Sequence, residues 1–202
     1  MGEIRVIGGE LRGRKIRTDD RAGLRPTTDR ARETIFNIMA SRFDLEGLDV
    51  LDLFAGSGAL GIEALSRGAQ HATFVEQSAA GVALIRSNLA SLSLVDRSVV
   101  LRGDAMRHLK EGGRYDLILA DPPYVAHATA ALLAALPDAL AADGFAMIER
   151  GAGTLLPPHP GLELLAERSI AATTVALFRR IDASHGTPTE EEGHIDQQES
   201  RS

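Results

Sequence analysis

The sequence predicts an α/β domain built on a mostly parallel sheet of seven strands, with helices on both faces and a small β-hairpin and helix before it. From Leu48 onward, short aliphatic runs alternate with segments of helical periodicity, and five such strand–helix units imply a parallel sheet. Residues 162–166 and 173–180 indicate two further strands, one of them antiparallel at or near an edge. The chain of 202 residues is long enough to bury the core of one such domain.

The N-terminal segment is predicted to form a basic hairpin followed by a helix. Residues 4–7 and 11–16 have strand-like patterns, and Gly8-Gly9 between them is a typical hairpin signal. Residues 26–29 favour a helix start, and the apolar stripe of that helix is Ile35, Ile38, Met39 and Phe43. Basic side chains alternate with apolar residues or glycine along the hairpin and predict one cationic face, formed by Arg5, Arg12, Arg14, Lys15 and Arg17.

The elements between residues 45 and 182 follow from the change of period along the chain. The predicted helices are 59–66, 79–92, 104–109 and 128–140, the last interrupted at Pro137. The predicted strands before the closing pair are 50–54, 72–76, 99–101, 117–120 and 145–149.

Charge is distributed unevenly along the chain, although the net charge is −6. Residues 1–32 contain nine Arg or Lys against five Asp or Glu, whereas residues 183–202 contain five acids against Arg201 alone. Because phosphate contacts depend on local cationic groups, the acidic total does not exclude a nucleic-acid partner. We therefore divide the chain into a basic extension (1–44) that docks RNA, an α/β domain (45–182) and an acidic tail (183–202) expected to be disordered.

Composition excludes several kinds of chemistry. The chain has no cysteine, so disulfides, thiolate zinc sites and cysteine nucleophiles are absent, and its six histidines show no metal-ligand spacing. No metal is therefore assigned. No apolar run reaches the ~18 residues of a membrane span, and the N-terminus lacks the apolar core of a signal peptide. We expect a cytoplasmic protein without membrane association.

A nucleoside cofactor site is predicted after the first strand of the domain. Gly56, Gly58 and Gly61 form a G-x-G-x-x-G pattern between a strand and a helix, where glycine lets the backbone turn sharply and approach a ligand. Glu76 ends the next strand, where it can accept hydrogen bonds from two ribose hydroxyls. NAD and S-adenosylmethionine both satisfy this pattern, and another feature must distinguish them.

Two acids favour S-adenosylmethionine. Asp52, shortly before the glycine turn, is compatible with an α-amino group but awkward beside a pyrophosphate. Asp104 could accept from an adenine amino group while the Ala105 amide meets the ring, although Asp104 also suits a helix N-cap. The predicted cofactor residues are Asp52, Ala55, Gly56, Ser57, Gly58, Glu76, Asp104 and Ala105.

The predicted catalytic group is Asp121, Pro122, Pro123 and Tyr124, at the carboxyl end of the fourth strand. The two prolines remove N–H donors, so the turn presents a carboxylate and main-chain carbonyls. Such an acceptor-rich site suits an exocyclic amine, and Tyr124 would stack on its base. In isolation the tetrapeptide would be interpreted as a rigid turn, but the glycine loop, Glu76 and Asp104 in sheet order favour the catalytic interpretation.

The segments RVIGGELRGRKI, LRPTTDRARETIFNIM, VLDLFAGSGALGIEALSRGA and LADPPY resemble the RsmD family of class I methyltransferases, which carry a D/N-P-P-Y/F motif on a Rossmann-like sheet. The resemblance runs from Arg5 to about Arg180. It implies S-adenosylmethionine as the cofactor and the N2 amine of one guanine in bacterial 16S ribosomal RNA as the target. Its partner would be ribosomal RNA, free or in an assembled small subunit, bound by a monomer. The predicted RNA contacts are Arg5, Arg12, Arg14, Lys15 and Arg25.

Three other functions fit part of the pattern. DNA adenine-N6 and protein glutamine methyltransferases also use acceptor-rich Pro-Pro-aromatic turns, and a non-catalytic nucleotide-binding Rossmann module would share the glycine loop. DNA enzymes usually need a target-recognition insertion, and no connection here is long enough for one. The glutamine enzymes usually begin the motif with Asn, where this chain has Asp121.

Overall fold

The computed structural model describes residues 2–19, 29–123, 126–152, 157–170 and 173–181. The helices are α1 (Asp29–Ala40), α2 (Ala59–Ser66), α3 (Ala79–Ser91), α4 (Ala105–Glu111) and α5 (Ala126–Ala139). The strands are β1 (Gly2–Arg5), β2 (Lys15–Thr18), β3 (Asp49–Leu53), β4 (His71–Glu76), β5 (Ser98–Arg102), β6 (Tyr115–Ala120), β7 (Leu140–Gly151), β8 (Leu162–Ile170) and β9 (Thr173–Arg180).

Strands β3 to β9 form one sheet in the order β5-β4-β3-β6-β7-β9-β8. Neighbours from β5 to β7 pair in parallel, whereas β9 is antiparallel to both β7 and β8. The predicted α/β fold with a mostly parallel seven-stranded sheet is confirmed, and its antiparallel strand lies next to the edge. The chain order reverses between β3 and β6, and open α/β sheets bind ligands at the carboxyl ends of the strands flanking such a switch point.

Two aliphatic cores cover the two faces of the sheet, as predicted. The N-terminal hairpin and α1 to α3 supply one core, to which Ile16 and Phe36 belong. Helices α4 and α5 supply the other, which includes Leu133. Because successive strand residues point to opposite faces, Val50 joins the first core and Leu51 the second.

The N-terminal hairpin is present, but its connection is longer than predicted. Strands β1 and β2 pair antiparallel, with Arg5 opposite Lys15. The predicted second strand over 11–16 and the predicted Gly8-Gly9 turn are therefore wrong, because β2 begins at Lys15 and residues 6–14 connect the strands.

Hydrogen bonds to α2 explain the shape of this connection. The backbone amides of Ile7 and Gly8 each donate to the buried Glu63 carboxylate at 2.8 Å. Gly9 (φ +73°) packs so closely that a Cβ there would lie 1.7 Å from the Ser66 carbonyl oxygen. Backbone groups that would pair in a tight hairpin are satisfied by the helix instead.

Two helix predictions also need correction. Helix α1 ends before Phe43, which was expected on its apolar stripe and instead stacks on Phe145 with ring centroids 4.0 Å apart. Helix α5 continues through Pro137, where an interruption was predicted. Leu133 and Leu136 are buried in this part of α5, and their burial outweighs the loss of one backbone hydrogen bond.

Two strands extend beyond their predicted ends. Strand β7 begins at Leu140, directly after α5, and its register against β6 is irregular between Tyr115 and Leu117. Strand β8 continues to Ile170 because it stays paired with β9.

Some predicted features lie outside the described residues, namely Arg25, the helix start at residues 26–28, Tyr124 and the tail 183–202. Within the described part of the chain, every helix is too short or too polar to cross a bilayer.

Candidate active site

The loop after β3 turns sharply into α2. Gly56 and Gly58 have φ angles of +56° and +79°, and Phe54 between strand and loop has φ +58°. This left-handed region favours glycine, because glycine has no Cβ to clash with the backbone carbonyl oxygen. Gly61 serves packing, since a Cβ there would lie 2.4 Å from the ring of Phe74 on β4. The glycine pattern therefore combines a left-handed backbone turn with close packing of helix against sheet.

Glu76 ends β4 and connects two backbone amides beside this loop. Its Oε2 accepts from the Gly56 amide at 3.0 Å, and its Oε1 accepts from the Ser78 amide at 2.7 Å. Each carboxylate oxygen can accept a second hydrogen bond. Glu76 could therefore receive ribose hydroxyls while still holding the glycine loop.

Asp52 lies beneath the loop, with 1% of its surface exposed. Its Oδ2 accepts from the Gly61 amide at 2.9 Å. Burial raises the pKa of Asp52 to about 8; the Gly61 hydrogen bond opposes this shift, and the charges of Asp121 and Glu76 reinforce it. A cation bound beyond the loop would favour ionisation of Asp52.

Asp104 and Ala105 stand at the start of α4. The Asp104 side chain caps this helix by accepting from the Arg107 amide at 2.8 Å, as the capping interpretation predicted. The Gly103 amide donates to the Glu76 carbonyl at 3.1 Å, which brings Asp104 to the edge of the sheet where Glu76 lies. Ala105 is the first helical residue, so its amide has no acceptor within the helix.

Asp121 begins the loop after β6, at the switch point of the sheet. The last residue of β6, Ala120, pairs with Leu53 of β3 on one side and Ile148 of β7 on the other. Burial, reinforced by the negative charge of Glu149, raises the pKa of Asp121 to about 7. Near neutral pH this carboxyl group is thus present in both ionised and protonated forms.

The two prolines after Asp121 differ in exposure, since Pro122 is buried and Pro123 is exposed. Neither has an N–H group, so the turn offers oxygen acceptors in preference to donors. Asp121 and Glu76 each lie near enough to Asp52 for their charges to raise its pKa.

Two residues of this region were missed by sequence reasoning. Glu149 of β7 follows Ile148, is 3% exposed and acts electrostatically on Asp121. The available signal was an acid at the end of the apolar run 145–148. Asn88, in the middle of α3, is 1% exposed and donates to the Ser57 carbonyl at 2.9 Å. A buried asparagine in a helix gives no such signal before the fold is known.

The predicted RNA-binding residues within the described part of the chain are all exposed on or beside the hairpin. Arg5 and Lys15 share its outer face, opposite the core-facing Ile16. Arg5 donates to the Gly13 carbonyl at 3.0 Å, and Lys15 pairs with Glu3 at 2.7 Å. Exposed interactions of this kind contribute little stability and can be exchanged for phosphate interactions. The exposed set is Arg5, Arg12, Arg14 and Lys15.

The residues at the carboxyl edge fit S-adenosylmethionine. Glu76 offers acceptors for ribose hydroxyls, the glycine loop offers close backbone approach, and the surrounding acids suit a ligand with net positive charge. No three His, Asp or Glu side chains among the described residues are grouped to hold a metal ion. An open parallel sheet with one antiparallel strand next to its edge, a glycine loop after β3 and acids after the following strands together define a class I methyltransferase domain.

Comparison with known proteins gives the family. Residues 4–179 match the profile of the family described as Conserved hypothetical protein 95. YlbH of Bacillus subtilis strain 168 is 38% identical over 184 residues, which cover 88% of this chain and 99% of YlbH. Ribosomal RNA small subunit methyltransferase D of Escherichia coli K12 is 47% identical over 124 residues, 61% of each protein. The solved structure of YhhF from Escherichia coli matches with a TM-score of 0.79 and 38% identity, covering 89% of this chain and 98% of YhhF.

The chain belongs to this family, the RsmD family of S-adenosylmethionine-dependent methyltransferases. The resemblance inferred from the sequence motifs and the predicted cofactor are thereby confirmed.

Proposed function

We propose that this protein methylates the exocyclic N2 amine of a guanine in small-subunit ribosomal RNA, using the residues predicted from its sequence. The observation that carries the proposal is the Asp121-Pro122-Pro123 turn at the switch point, beside the glycine loop. The turn favours an amine as acceptor of the methyl group, and the name of the Escherichia coli relative supports small-subunit ribosomal RNA as its source.

The chemistry required of the turn follows from the target. An exocyclic amine is a poor nucleophile because its lone pair is delocalised into the base. The Asp121 carboxylate and a main-chain carbonyl of the turn would accept its two N–H bonds and favour a tetrahedral nitrogen with an available lone pair. S-adenosylmethionine, when bound, supplies an electrophilic methyl group on its sulfonium. Tyr124 is proposed to stack on the base and hold it in plane.

Methyl transfer leaves a positive charge on the nitrogen, which then loses one proton. Asp121 is suited to accept it, because its pKa of about 7 makes it a stronger base than an exposed carboxylate. The neighbouring charge of Glu149 strengthens this affinity for a proton. Asp121 would then act twice, first as a hydrogen-bond acceptor and then as a base.

The basic extension is proposed to dock the RNA. Arg5, Arg12, Arg14 and Lys15 are exposed on the hairpin, which packs on the same face of the sheet as α3. Arg25 is proposed to join them. Phosphate interactions fix position without reading sequence, so the choice of nucleotide would depend on the shape of the RNA and on the pocket. A ribosomal RNA substrate implies a cytoplasmic enzyme.

A labelled-methyl assay tests this function. The protein is incubated with small-subunit RNA, and separately with small subunits, both from a strain lacking this gene, and digested nucleosides are identified by mass spectrometry. N2-methylguanosine is expected. Label in N6-methyladenosine or in a protein glutamine would refute the proposal, and S-adenosylmethionine binding without transfer to either substrate would indicate a non-catalytic module.

A further inference from the structure

A buried side chain connects the basic hairpin to the glycine loop. The Nδ2 of Asn88 donates to the Arg17 carbonyl of β2 at 3.0 Å and to the Ser57 carbonyl at 2.9 Å. Its Oδ1 accepts from the Arg17 amide at 3.0 Å. One amide group thus holds both backbone polar groups of a hairpin residue and one backbone carbonyl of the cofactor loop.

The Ser57 end of this connection fixes a peptide group that has few other restraints. Ser57 lies between Gly56 and Gly58, both in the left-handed region and both without side chains to pack. The amide of Gly58 donates to the Ala55 carbonyl at 2.7 Å, and the carbonyl of the same peptide group is held by Asn88. The orientation of the Ser57–Gly58 peptide is therefore held by Ala55 at its amide and by Asn88 at its carbonyl.

The Arg17 end of the connection belongs to the surface proposed for RNA. Arg17 lies opposite Glu3 on the outer face of the hairpin, where Arg5 and Lys15 form the neighbouring cross-strand pair. Its side chain is exposed, with Nη1 3.5 Å from the Ser87 hydroxyl. An RNA phosphate bound here would act on β2, and Asn88 is hydrogen-bonded to the backbone of the same residue.

Helix α3 makes the connection rigid. It begins after Ser78, whose amide is bound by the carboxylate of Glu76, and Asn88 lies in its third turn between the buried Ile85 and Leu89. A displacement of β2 therefore reaches Ser57 through one side chain fixed on a packed helix.

We propose that Asn88 is a positioning residue that couples RNA docking on the hairpin to the conformation of the cofactor loop. RNA docked on the hairpin would hold Asn88 and, through it, the Ser57 carbonyl in place, and so raise the affinity for the cofactor. Because coupling between two binding sites is reciprocal, the cofactor would raise the affinity for RNA by the same factor. This inference rests on the proposed function, since it takes the hairpin as the RNA-docking surface.

The test measures binding of radiolabelled S-adenosylhomocysteine by equilibrium dialysis, with and without saturating small-subunit RNA from a strain lacking this gene. In the wild-type protein we expect RNA to tighten binding about fivefold or more, the range of typical couplings. Asn88→Asp keeps an acceptor for the Arg17 amide but loses both donors, so the ratio of the two affinities should fall close to one. Ala83→Ser, at an exposed position of the same helix away from the hydrogen bonds of Asn88 and Arg17, is the matched control and should keep the wild-type ratio.

The ratio separates coupling from a structural role. If Asn88 only stabilised the fold, Asn88→Asp would weaken S-adenosylhomocysteine binding equally with and without RNA, and an unchanged ratio overturns the inference. The inference is also overturned if the wild-type protein binds S-adenosylhomocysteine equally well with and without RNA. In that case the hairpin remains the docking surface provided that the triple alanine variant of Arg12, Arg14 and Lys15 loses RNA affinity. If that triple variant binds RNA normally, the docking proposal itself fails, and the inference with it.

A second measurement covers the case in which Asn88→Asp does not fold. Hydrogen exchange of the wild-type segment 55–61 should slow when RNA is added, and the triple alanine variant should show no slowing under the same conditions. Equal exchange with and without RNA at saturation contradicts the coupling.

Discussion

At the scale of single residues, the carboxyl edge of the sheet concentrates carboxyl groups where water is scarce. Asp52 and Glu149 are almost fully buried, and Asp121 follows the strand between them. Burial raises the pKa values of Asp52 and Asp121 to about 8 and about 7, reinforced by the charges of Asp121 and Glu76 on Asp52 and of Glu149 on Asp121. The cationic cofactor and the proposed amine substrate would relieve this arrangement, because each would meet a carboxylate that water no longer solvates.

Asp121→Ala is expected to lower the single-turnover rate of methyl transfer by about 100-fold or more, the usual effect of removing one preorganised electrostatic interaction. Affinity for S-adenosylmethionine should stay near wild type, since the interaction strengthens only as the nitrogen becomes positive. Asp121→Asn should be milder, because an amide oxygen still accepts one N–H. The exposed Asp138 provides the control substitution Asp138→Asn. If quench-flow rates for Asp121→Ala are close to wild type, Asp121 takes no part in methyl transfer and the turn has only a structural role.

Asp52 should make stability fall as pH rises. Below about pH 4 the carboxyl group is protonated in both states, whereas between about pH 4 and 8 the unfolded chain releases the proton and the folded protein keeps it. The free energy of unfolding therefore falls as pH rises, until the pH passes the pKa of Asp52 in the folded protein. Asp52→Asn can still accept from Gly61 but has no proton to lose, so it should be stabilising near pH 8 and neutral near pH 4. Melting curves against pH that run parallel for both proteins would contradict this.

Glu76→Ala should weaken S-adenosylmethionine binding by about 1.5–3 kcal/mol, the range for hydrogen bonds to a charged group. Because Gly56 and Ser78 also lose their acceptor, the cofactor-free protein should melt at a lower temperature. Titration calorimetry and thermal melting measure the two effects separately. Unaltered cofactor affinity beside a lowered melting temperature would leave Glu76 a purely structural role in the loop.

At the scale of elements, the N-terminal hairpin is joined to the domain through buried polar groups. Glu63 of α2 accepts from two amides of the connection and from Arg67 at 2.7 Å, and Asn88 of α3 holds β2. Polar groups without exposure must be paired, so these hydrogen bonds fix where the hairpin sits. The exposed cations are thereby held at a defined position beside the sheet.

Replacing Arg12, Arg14 and Lys15 together by alanine should weaken RNA binding and reduce its dependence on salt. The salt slope should fall by about 0.7 to 0.9 for every phosphate that is no longer neutralised by a basic side chain. Cofactor affinity without RNA should be unchanged. The control is the triple alanine variant of Arg107, Lys110 and Arg114, which are exposed on or after α4 on the other face. Equal salt slopes for the two triple variants would show that Arg12, Arg14 and Lys15 do not form the docking surface.

At the scale of the whole molecule, the class I sheet brings loops that are distant in sequence to one edge. Gly56, Asp104 and Asp121 lie in the loops after β3, β5 and β6, and Glu76 is the last residue of β4. Parallel strands end at the same edge, so this convergence follows from topology. The acidic segment 183–202 lies outside the described residues.

Truncation after residue 182 should leave folding and methyl transfer intact, because a polar segment with one large aliphatic residue adds little buried area. Calorimetry and the labelled-methyl assay on the shortened chain test this. A melting temperature several degrees lower would show that the segment packs on the domain.

The fold class, the two sheet faces and the order of site residues could be predicted from the sequence, because each depends on short-range periodicity and on residues next to strand ends. The predictions for 59–66 and 173–180 agree with α2 and β9 at both ends. The hairpin connection could not be predicted, since Gly8 and Gly9 suggest a turn until Glu63 and Ser66 are seen to bind the backbone there.

The sequence by itself determined which residues are candidates for the site: a glycine loop, an acid proposed to bind ribose and an Asp-Pro-Pro turn, all recognisable by local order. Only the tertiary structure decided their electrostatic state and their connections. The raised pKa of Asp121 comes first from its burial and then from the charge of Glu149 on a neighbouring strand, and the link from Arg17 to Ser57 requires Asn88 on a helix far along the chain. Both depend on burial and on long-range proximity, and neither quantity exists before the chain has folded.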